Sequence, residues 1–499
     1  MTFGIRVDSS ARIGTGHLVR SLTLANKLRS RGEDVIFLSQ SLDNDMSSLV
    51  TDAGFEVLNV DTSRTNHESP EARDALESLR LINSRSINRV ILDHYDLSLG
   101  WEEQIGKEVD QVFVIDDLTN RRHRCDLLLN QNLVPPHDEE YASSSHGARH
   151  VLVGPKFALL QDEYASIRSI RSGGNSRVER ISVFMGGSDP DNATELVLRS
   201  LDAVDLKGIV VDVVIGRANS HRTQLLQTFG RNPAFTFQPG FSSLAALFGE
   251  SDLAIGAGGT TNWERMCLGI PSMVIDIAEN QREICVELAR AGLIEYLGSF
   301  QSVRQTDIQN AIEKLRTDQD LRNQFSWQGQ IAVDGLGAHR VVETLLPSNS
   351  NSLSLRRTRI GDMSLYFNWV NEFSVRQNSI NFQPIPWHVH EAWFKSRIDD
   401  PTCQMYVLCA DDLPIGQIRF GKNGEEWTID YSLDEIVRGR GWGKILVGKG
   451  LAELRKSSTG KIVAIVKKSN IASRQIFHDL QFSATASSTA DTEQFELII

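Results

Sequence analysis

Cysteine is scarce in this chain: five residues in 499, at positions 125, 267, 285, 403 and 409, with no CxxC pair among them. Such spacing excludes both a disulfide framework and a zinc knuckle, and reduced thiols in a cytoplasmic protein are the expectation. Long apolar runs are missing too. None approaches the roughly 20 residues of a membrane helix, and the opening MTFGIRVDSS has neither the basic start nor the apolar stretch of a secretory signal. An excess of positive charge is also absent. With 52 Lys and Arg against 64 Asp and Glu, the net charge is −12, which argues against general affinity for nucleic acid or anionic membrane. What remains is ordinary globular composition, 40% hydrophobic and 23% charged. A chain of this length exceeds one hydrophobic core, so two or three domains are expected.

Over the first ~345 residues short apolar runs alternate with longer amphipathic stretches, the pattern of parallel sheets with crossover helices. Candidate strands are Gly4–Asp8, Asp34–Leu38, Arg89–Leu92, Gln111–Ile115 and Asp126–Leu129. After His150–Val153 the rhythm restarts with Arg180–Phe184, Val211–Ile215, Phe235–Gln238, Leu253–Ile255 and Ser272–Ile275. This predicts two α/β lobes, 1–150 and 151–346, facing a ligand cleft. No internal sequence repeat is evident. Residues 347–354, Ser and Asn rich, read as a linker. Beyond it, 355–499 forms a third α/β unit with strands at Met405–Leu408, Ile415–Arg419, Trp427–Leu433 and Ile462–Val466, and a final helix near Ala472–Leu480.

Three glycine turns in the first two lobes invite a chemical reading. Arg6-Val-Asp-Ser-Ser-Ala-Arg-Ile-Gly-Thr-Gly-His17 runs from a strand into the helix Leu18–Leu28. Gly14 and Gly16 permit a tight turn with uncrowded amides. His17 falls at the positive end of the helix, which disfavours imidazolium and keeps the ring able to accept a proton. Alone, this pattern also describes ordinary strand–helix turns and structural histidines. Phe184-Met-Gly-Gly-Ser-Asp-Pro190, with Gly187 and Ser188, repeats the arrangement. So does Gly256-Ala-Gly-Gly-Thr-Thr-Asn-Trp-Glu264, with Gly258, Gly259, Thr260 and Thr261 opening the helix Asn262–Leu268. Helix N-termini with glycine approach bind diphosphates without a metal, although one such loop is equally explained by capping. Two in the same lobe favour a phosphate site. Asp93-His-Tyr95 reads either as a capped loop or as residues orienting water or sugar. His123 and Cys125 are too few for a metal site, and no metal is expected.

These stretches, together with DDLTNRRHRCDLLLNQN (116–132), ENQ (279–281) and DGLGAHRVVETL (334–345), make the region resemble the UDP-sugar hydrolase of pseudaminic acid biosynthesis. That family releases UDP from a 2,4-diacetamido-2,4,6-trideoxy-altrose. It is in turn similar to the GT-B glycosyltransferase that adds GlcNAc to lipid-linked muramyl peptide. The resemblance implies two Rossmann-like lobes with UDP held mainly by the second. It further implies His17 as the base that activates water, the 256–261 turn on the diphosphate, and Glu264 on the ribose; Asn280 and Gln281 read equally as ligands of sugar or phosphate and as surface loop amides. A carboxylate suits two ribose hydroxyls, while a solvated first-turn glutamate is the plain alternative. UDP is a good leaving group, so amide donors can replace the acid that glycoside hydrolysis normally needs.

In the third unit, Arg438-Gly-Arg-Gly-Trp-Gly-Lys444 follows a strand and opens the helix Ile445–Leu454. Successive amides at a helix start suit a pyrophosphate, and Arg438, Arg440 and Lys444 add positive charge. Arg438, Gly441 and Gly443 fit the R/Q-x-x-G-x-G/A pattern of GNAT-type N-acetyltransferases, with Gly439 and Trp442 inside the same turn. Asn470 and Ser473 match a second stretch of that family. The resemblance implies acetyl-CoA as cosubstrate, with strand amides of Tyr431–Leu433 along the pantetheine. The opening of this unit resembles the branch that acetylates the 4-amino group of the same altrose. Many such enzymes place a tyrosine, able to protonate the leaving thiolate, where this chain has Phe477. Asp430 and Glu426 are candidate bases, with plain surface charge as the alternative.

The sequence therefore predicts a bifunctional enzyme whose partners are small UDP-amino-sugars. Fusion would place two consecutive steps at high local concentration. Three other readings stay open: a glycosyltransferase using an acceptor hydroxyl in place of water, a nucleotide-sugar binding module without turnover, and the same chemistry on a different diamino sugar.

Overall fold

The computed structural model describes all residues except 10–14, 43, 65–68, 119, 135–146, 172–176, 217, 239–243 and 486–488. The chain divides into two compact units, Met1–Val342 and Glu343–Ile499.

The first unit holds two parallel sheets. One comprises β1 (Thr2–Val7), β2 (Asp34–Ser39), β3 (Glu56–Asn59), β4 (Arg89–Asp93), β5 (Gln111–Ile115), β6 (Leu127–Asn130) and β7 (His150–Val153), in the order β3-β2-β1-β4-β5-β6-β7. The other comprises β8 (Arg180–Phe184), β9 (Val210–Val214), β10 (Phe235–Gln238), β11 (Leu253–Ala257), β12 (Ser272–Asp276) and β13 (Glu295–Ser299), in the order β10-β9-β8-β11-β12-β13. In both, the chain starts near the centre, runs to one edge, then crosses back to build the other half. The crevice beyond the strand ends at that switch point is the usual ligand position in doubly wound folds. Helices cover both faces, which explains why the strands are near-continuous apolar runs. In β12, Met273 and Ile275 enter one core with Val211, Ile255 and Ile308, while Val274 enters the opposite core with Trp263 and Leu288. The first sheet reaches Val153, so the edge strand β7 crosses the expected 150/151 boundary.

The second unit is a seven-stranded sheet: β14 (Leu353–Arg357), β15 (Cys403–Ala410), β16 (Leu413–Asn423), β17 (Glu426–Leu433), β18 (Lys461–Lys467), β19 (Ser483–Thr485) and β20 (Thr492–Ile498), in the order β14-β15-β16-β17-β18-β20-β19. Every pairing is antiparallel except β17 with β18, and that pair joins only at Glu426–Thr428 against Lys461–Val463. From Ile429 to Leu433 the β17 edge facing β18 has no strand partner among the described residues. The sheet opens into a V there. β14 begins inside the stretch that composition marks as linker.

Candidate functional site

The helix Gly16–Ser30 begins beyond the end of β1, with His17 in its first turn. β1 and β4 pair in parallel with Val7 opposite Asp93, so the end of β4 lies beside that helix start. His17 Nδ1 lies 2.5 Å from Asp93 Oδ1, and the imidazole is 11% exposed. A carboxylate can only accept, so Nδ1 carries the hydrogen of this bond, and Nε2 is the ring nitrogen that Asp93 leaves unengaged. The Tyr95 ring meets the imidazole edge to face at 4.5 Å.

Arg20, one turn along the same helix, fixes this arrangement. It donates to Asp93 through Nε at 2.8 Å and Nη2 at 2.6 Å, and to Asp117 through Nη1 at 2.5 Å. The Tyr95 hydroxyl donates to the same Asp117 at 2.9 Å, and Ser21 donates to Asp93 at 3.1 Å. Burial alone would raise the Asp93 carboxyl, but Arg20 and His17 hold it well below the usual carboxylate range. Burial first, and then Asp117, push the Tyr95 phenol far up, so it stays a donor. The histidine therefore sits on a permanent negative charge as well as at a helix start. A helix start alone would supply no such charge.

The other glycine turns approach this corner. A Cβ placed on Gly16 would lie 3.5 Å from Thr260 Oγ1, and one on Gly187 would lie 3.1 Å from Thr15 Oγ1. Residues 15–17, the Gly187 turn and the Thr260 turn thus meet at one place between the two sheets. Gly14 lies outside the described residues. Gly258 is tightly enclosed, since a Cβ there would fall 2.4 Å from Cys285 Sγ and 3.1 Å from Gln281 Cβ. Gln281 accepts from the Ile277 amide at 3.1 Å, and its Nε2 stands 3.7 Å from a Cβ on Gly259. Asn280, by contrast, is exposed. In the Gly187–Ser188 turn, Asp189 is committed to capping: it accepts from the Ala193 and Thr194 amides at 2.8 and 3.0 Å. The capping reading is correct for Asp189.

Glu264, in the helix Thr261–Cys267 with Thr261 at its start, has an Oε2 atom buried without a hydrogen-bond partner among the described residues. Burial raises its pKa to about 7, against the opposing pull of a Tyr164 hydrogen bond and Arg265. An acceptor in that condition is poised for a hydroxyl donor. His123 is buried between Glu102 at 2.7 Å and Asp116 at 3.0 Å; burial opposes its charge, but these carboxylates outweigh that effect and raise it to about 9.

The second unit contains an open cleft of ≈1260 Å³ running from the 438–444 turn to Arg376, Arg397, Arg419 and Lys422. Gly439 and Gly441 adopt φ of 79° and 77°, which L side chains rarely tolerate, and Gly441 is the N-cap of the helix Trp442–Arg455. The predicted cations are all engaged. Arg438 donates to Glu372 at 2.7 Å, to Ser374 at 2.5 Å and to the Leu433 carbonyl at 3.0 Å. Arg440 pairs with Glu343 at 2.6 Å and lies over the Trp442 ring, and Lys444 pairs with Asp479 at 3.1 Å. Arg438 therefore braces the turn through its own partners. Gly443 packs against Ile476. Asn470 caps the helix Ile471–Asp479 by accepting from the Ser473 amide at 3.1 Å. Glu426 is paired with Lys461 at 2.6 Å, and Asp430 accepts from Gln417 at 3.0 Å.

Sequence reasoning missed Arg20 and Asp117 entirely, and left Asp93 unassigned. Arg20 carried a signal, because it lies three residues after His17 and so shares its helix face. Asp117 lies within the 116–132 stretch of the resemblance, but nothing in its local spacing ties it to His17.

The fold of the first unit is that of the two-lobed GT-B class. MurG of Acinetobacter baumannii, a solved structure, superposes with a TM-score of 0.50 at 13% identity, covering 69% of this chain and 98% of MurG. The model of the acetyltransferase (GNAT) domain matches residues 352–483. More particularly, the chain is 25% identical over 295 residues to the UDP-2,4-diacetamido-2,4,6-trideoxy-beta-L-altropyranose hydrolase of Campylobacter jejuni, covering 58% of this chain and 97% of that one. It is 24% identical to the spore coat polysaccharide biosynthesis protein SpsG of Bacillus subtilis, over 69% of this chain and 98% of that protein. An uncharacterised protein of Methanocaldococcus jannaschii is 23% identical over 97% of both chains. The chain thus joins a GT-B-like region, similar to a sugar-nucleotide hydrolase, to a GNAT acetyltransferase domain.

Proposed function

We propose that the first unit hydrolyses a UDP-2,4-diacetamido-2,4,6-trideoxy-altrose and that the second acetylates the 4-amino group of its precursor from acetyl-CoA. One observation carries the hydrolase reading: the His17–Asp93 dyad meets two glycine turns where a diphosphate would lie. Water attacks the anomeric carbon as the bond to the UDP oxygen breaks, and its proton passes to His17 Nε2. Asp93 stabilises the imidazolium that forms. Amides of the Gly187 and Gly258–Thr261 turns take up the charge of departing UDP, so no acid is required. Glu264 is the proposed ribose ligand, a reading that its unpartnered Oε2 supports. In the second unit the 438–444 amides receive the CoA pyrophosphate. The cationic lining at the far end of the cleft suits an acceptor bearing a nucleotide diphosphate. The test incubates the purified chain with UDP-4-amino-altrosamine derivative and acetyl-CoA, following free UDP and CoA. Both are expected. Diacetylated UDP-sugar left intact would refute the hydrolase reading, and absence of CoA would refute the other.

A further inference from the structure

Aminolysis of a thioester expels a thiolate, and an active site gains rate by stabilising that anion as it forms. Phe477 offers nothing here. It is 2% exposed, packed on Phe482 and Phe495. A hydroxyl pair stands one turn away. Tyr431 lies on the partnerless edge of β17, and its hydroxyl donates to Ser473 Oγ at 2.8 Å. Its ring meets Phe477 edge to face at 6.1 Å and would be 3.9 Å from a Cβ on Gly443, so it sits between the pyrophosphate turn and the helix Ile471–Asp479. Both residues line the cleft. An extended pantetheine arm can add to the open β17 edge as an extra strand would, which brings its sulfur past this pair.

Resting on the acetyltransferase reading, we propose that Ser473 and Tyr431 act together as a hydrogen-bond donor to the sulfur of the departing CoA. Because Ser473 Oγ accepts from Tyr431, its own hydrogen is left to point at the sulfur, and the chain of two bonds polarises the serine hydroxyl. Burial pushes the Tyr431 phenol up to about 12, so it keeps its proton throughout. The bookkeeping is that of simple aminolysis. The amine nitrogen forms a bond to the acetyl carbon, the C–S bond breaks, and its electron pair leaves on sulfur. The proton shed by the amine goes to solvent, which later supplies the one that neutralises the thiolate.

The test titrates CoA bound to the full chain, following thiolate absorbance, in wild type, Tyr431→Phe, Ser473→Ala and Ser473→Thr. Hydrogen bonds to a charged group predict that the thiolate fraction at a fixed pH falls about tenfold in the first two variants and recovers in the threonine variant. The kcat with acetyl-CoA should fall by a similar factor at unchanged KM. Identical thiol titrations in all four proteins overturn the proposal while leaving the acetyltransferase reading standing. Failure of wild type to bind CoA removes both.

Discussion

Asp93→Asn is the perturbation that best separates the His17 dyad from mere packing. The side chain keeps its size and an oxygen for Nδ1, but loses the charge that stabilises imidazolium. Two unit charges about 4 Å apart at an effective dielectric near 20 attract by roughly 4 kcal/mol. Arg20 already neutralises part of the Asp93 charge, donating to it twice at 2.6 and 2.8 Å. A net loss of about 3 kcal/mol remains, or about 10²-fold in kcat at roughly 1.4 kcal/mol per decade. KM should stay put, because the charge matters only once the proton has moved. Arg20 retains Asp117 at 2.5 Å, so destabilisation should fall short of the roughly 3–5 kcal/mol of an orphaned buried charge. The assay is UDP release from the diacetamido UDP-sugar under saturating and limiting substrate, with thermal unfolding of the same sample. A folded variant retaining kcat within about threefold would refute the dyad.

Three further outcomes follow from the same structure. Burial raises Glu264 to about 7. Its folded state therefore favours the protonated form, and stability should fall as pH rises from the unfolded value of about 4.5 through 7. Glu264→Gln should flatten that part of the Tm-against-pH curve and weaken UDP binding, read by calorimetry. His123 is opposed by burial but raised to about 9 by Asp116 and Glu102, so its contribution is full below about 6.5 and lost as pH climbs through 9. His123→Gln should cost about 3 kcal/mol in urea unfolding at pH 7, because buried Glu102 loses its His123 partner while Asp116 keeps Arg121 at 3.2 Å. Gly258→Ala should destabilise the first unit by about 1–3 kcal/mol and abolish UDP affinity, since its Cβ would overlap Cys285.

Much of this was readable in the chain, and the failures have physical causes. The parallel strands announced themselves because burial on both faces demands unbroken apolar runs, as in Leu253-Ala-Ile255. β3 was invisible: Glu56-Val-Leu-Asn59 is a partly exposed edge with polar ends. β20 was missed because Glu493, Gln494 and Glu496 look like surface loop, although the strand pairs with β18 along seven residues. The glycine turns and His17 were legible from local spacing. The His17 partner was not, because Asp93 is 76 residues distant and an aspartate after a strand reads equally as a cap. Tyr431 and Ser473 lie 42 residues apart, and only the V in the sheet brings them together. The cations of the 438–444 turn were seen as charge, while the structure spends them on Glu372, Glu343 and Asp479.

The most direct measurement is hydrolysis of the diacetamido UDP-sugar in water enriched in oxygen-18, with mass analysis of both products in wild type and His17→Ala. Attack at the anomeric carbon predicts one heavy oxygen in the released sugar, none in UDP, and no sugar release by the histidine variant. Heavy oxygen in UDP, or equal release by the variant, would contradict an imidazole-activated water at that carbon.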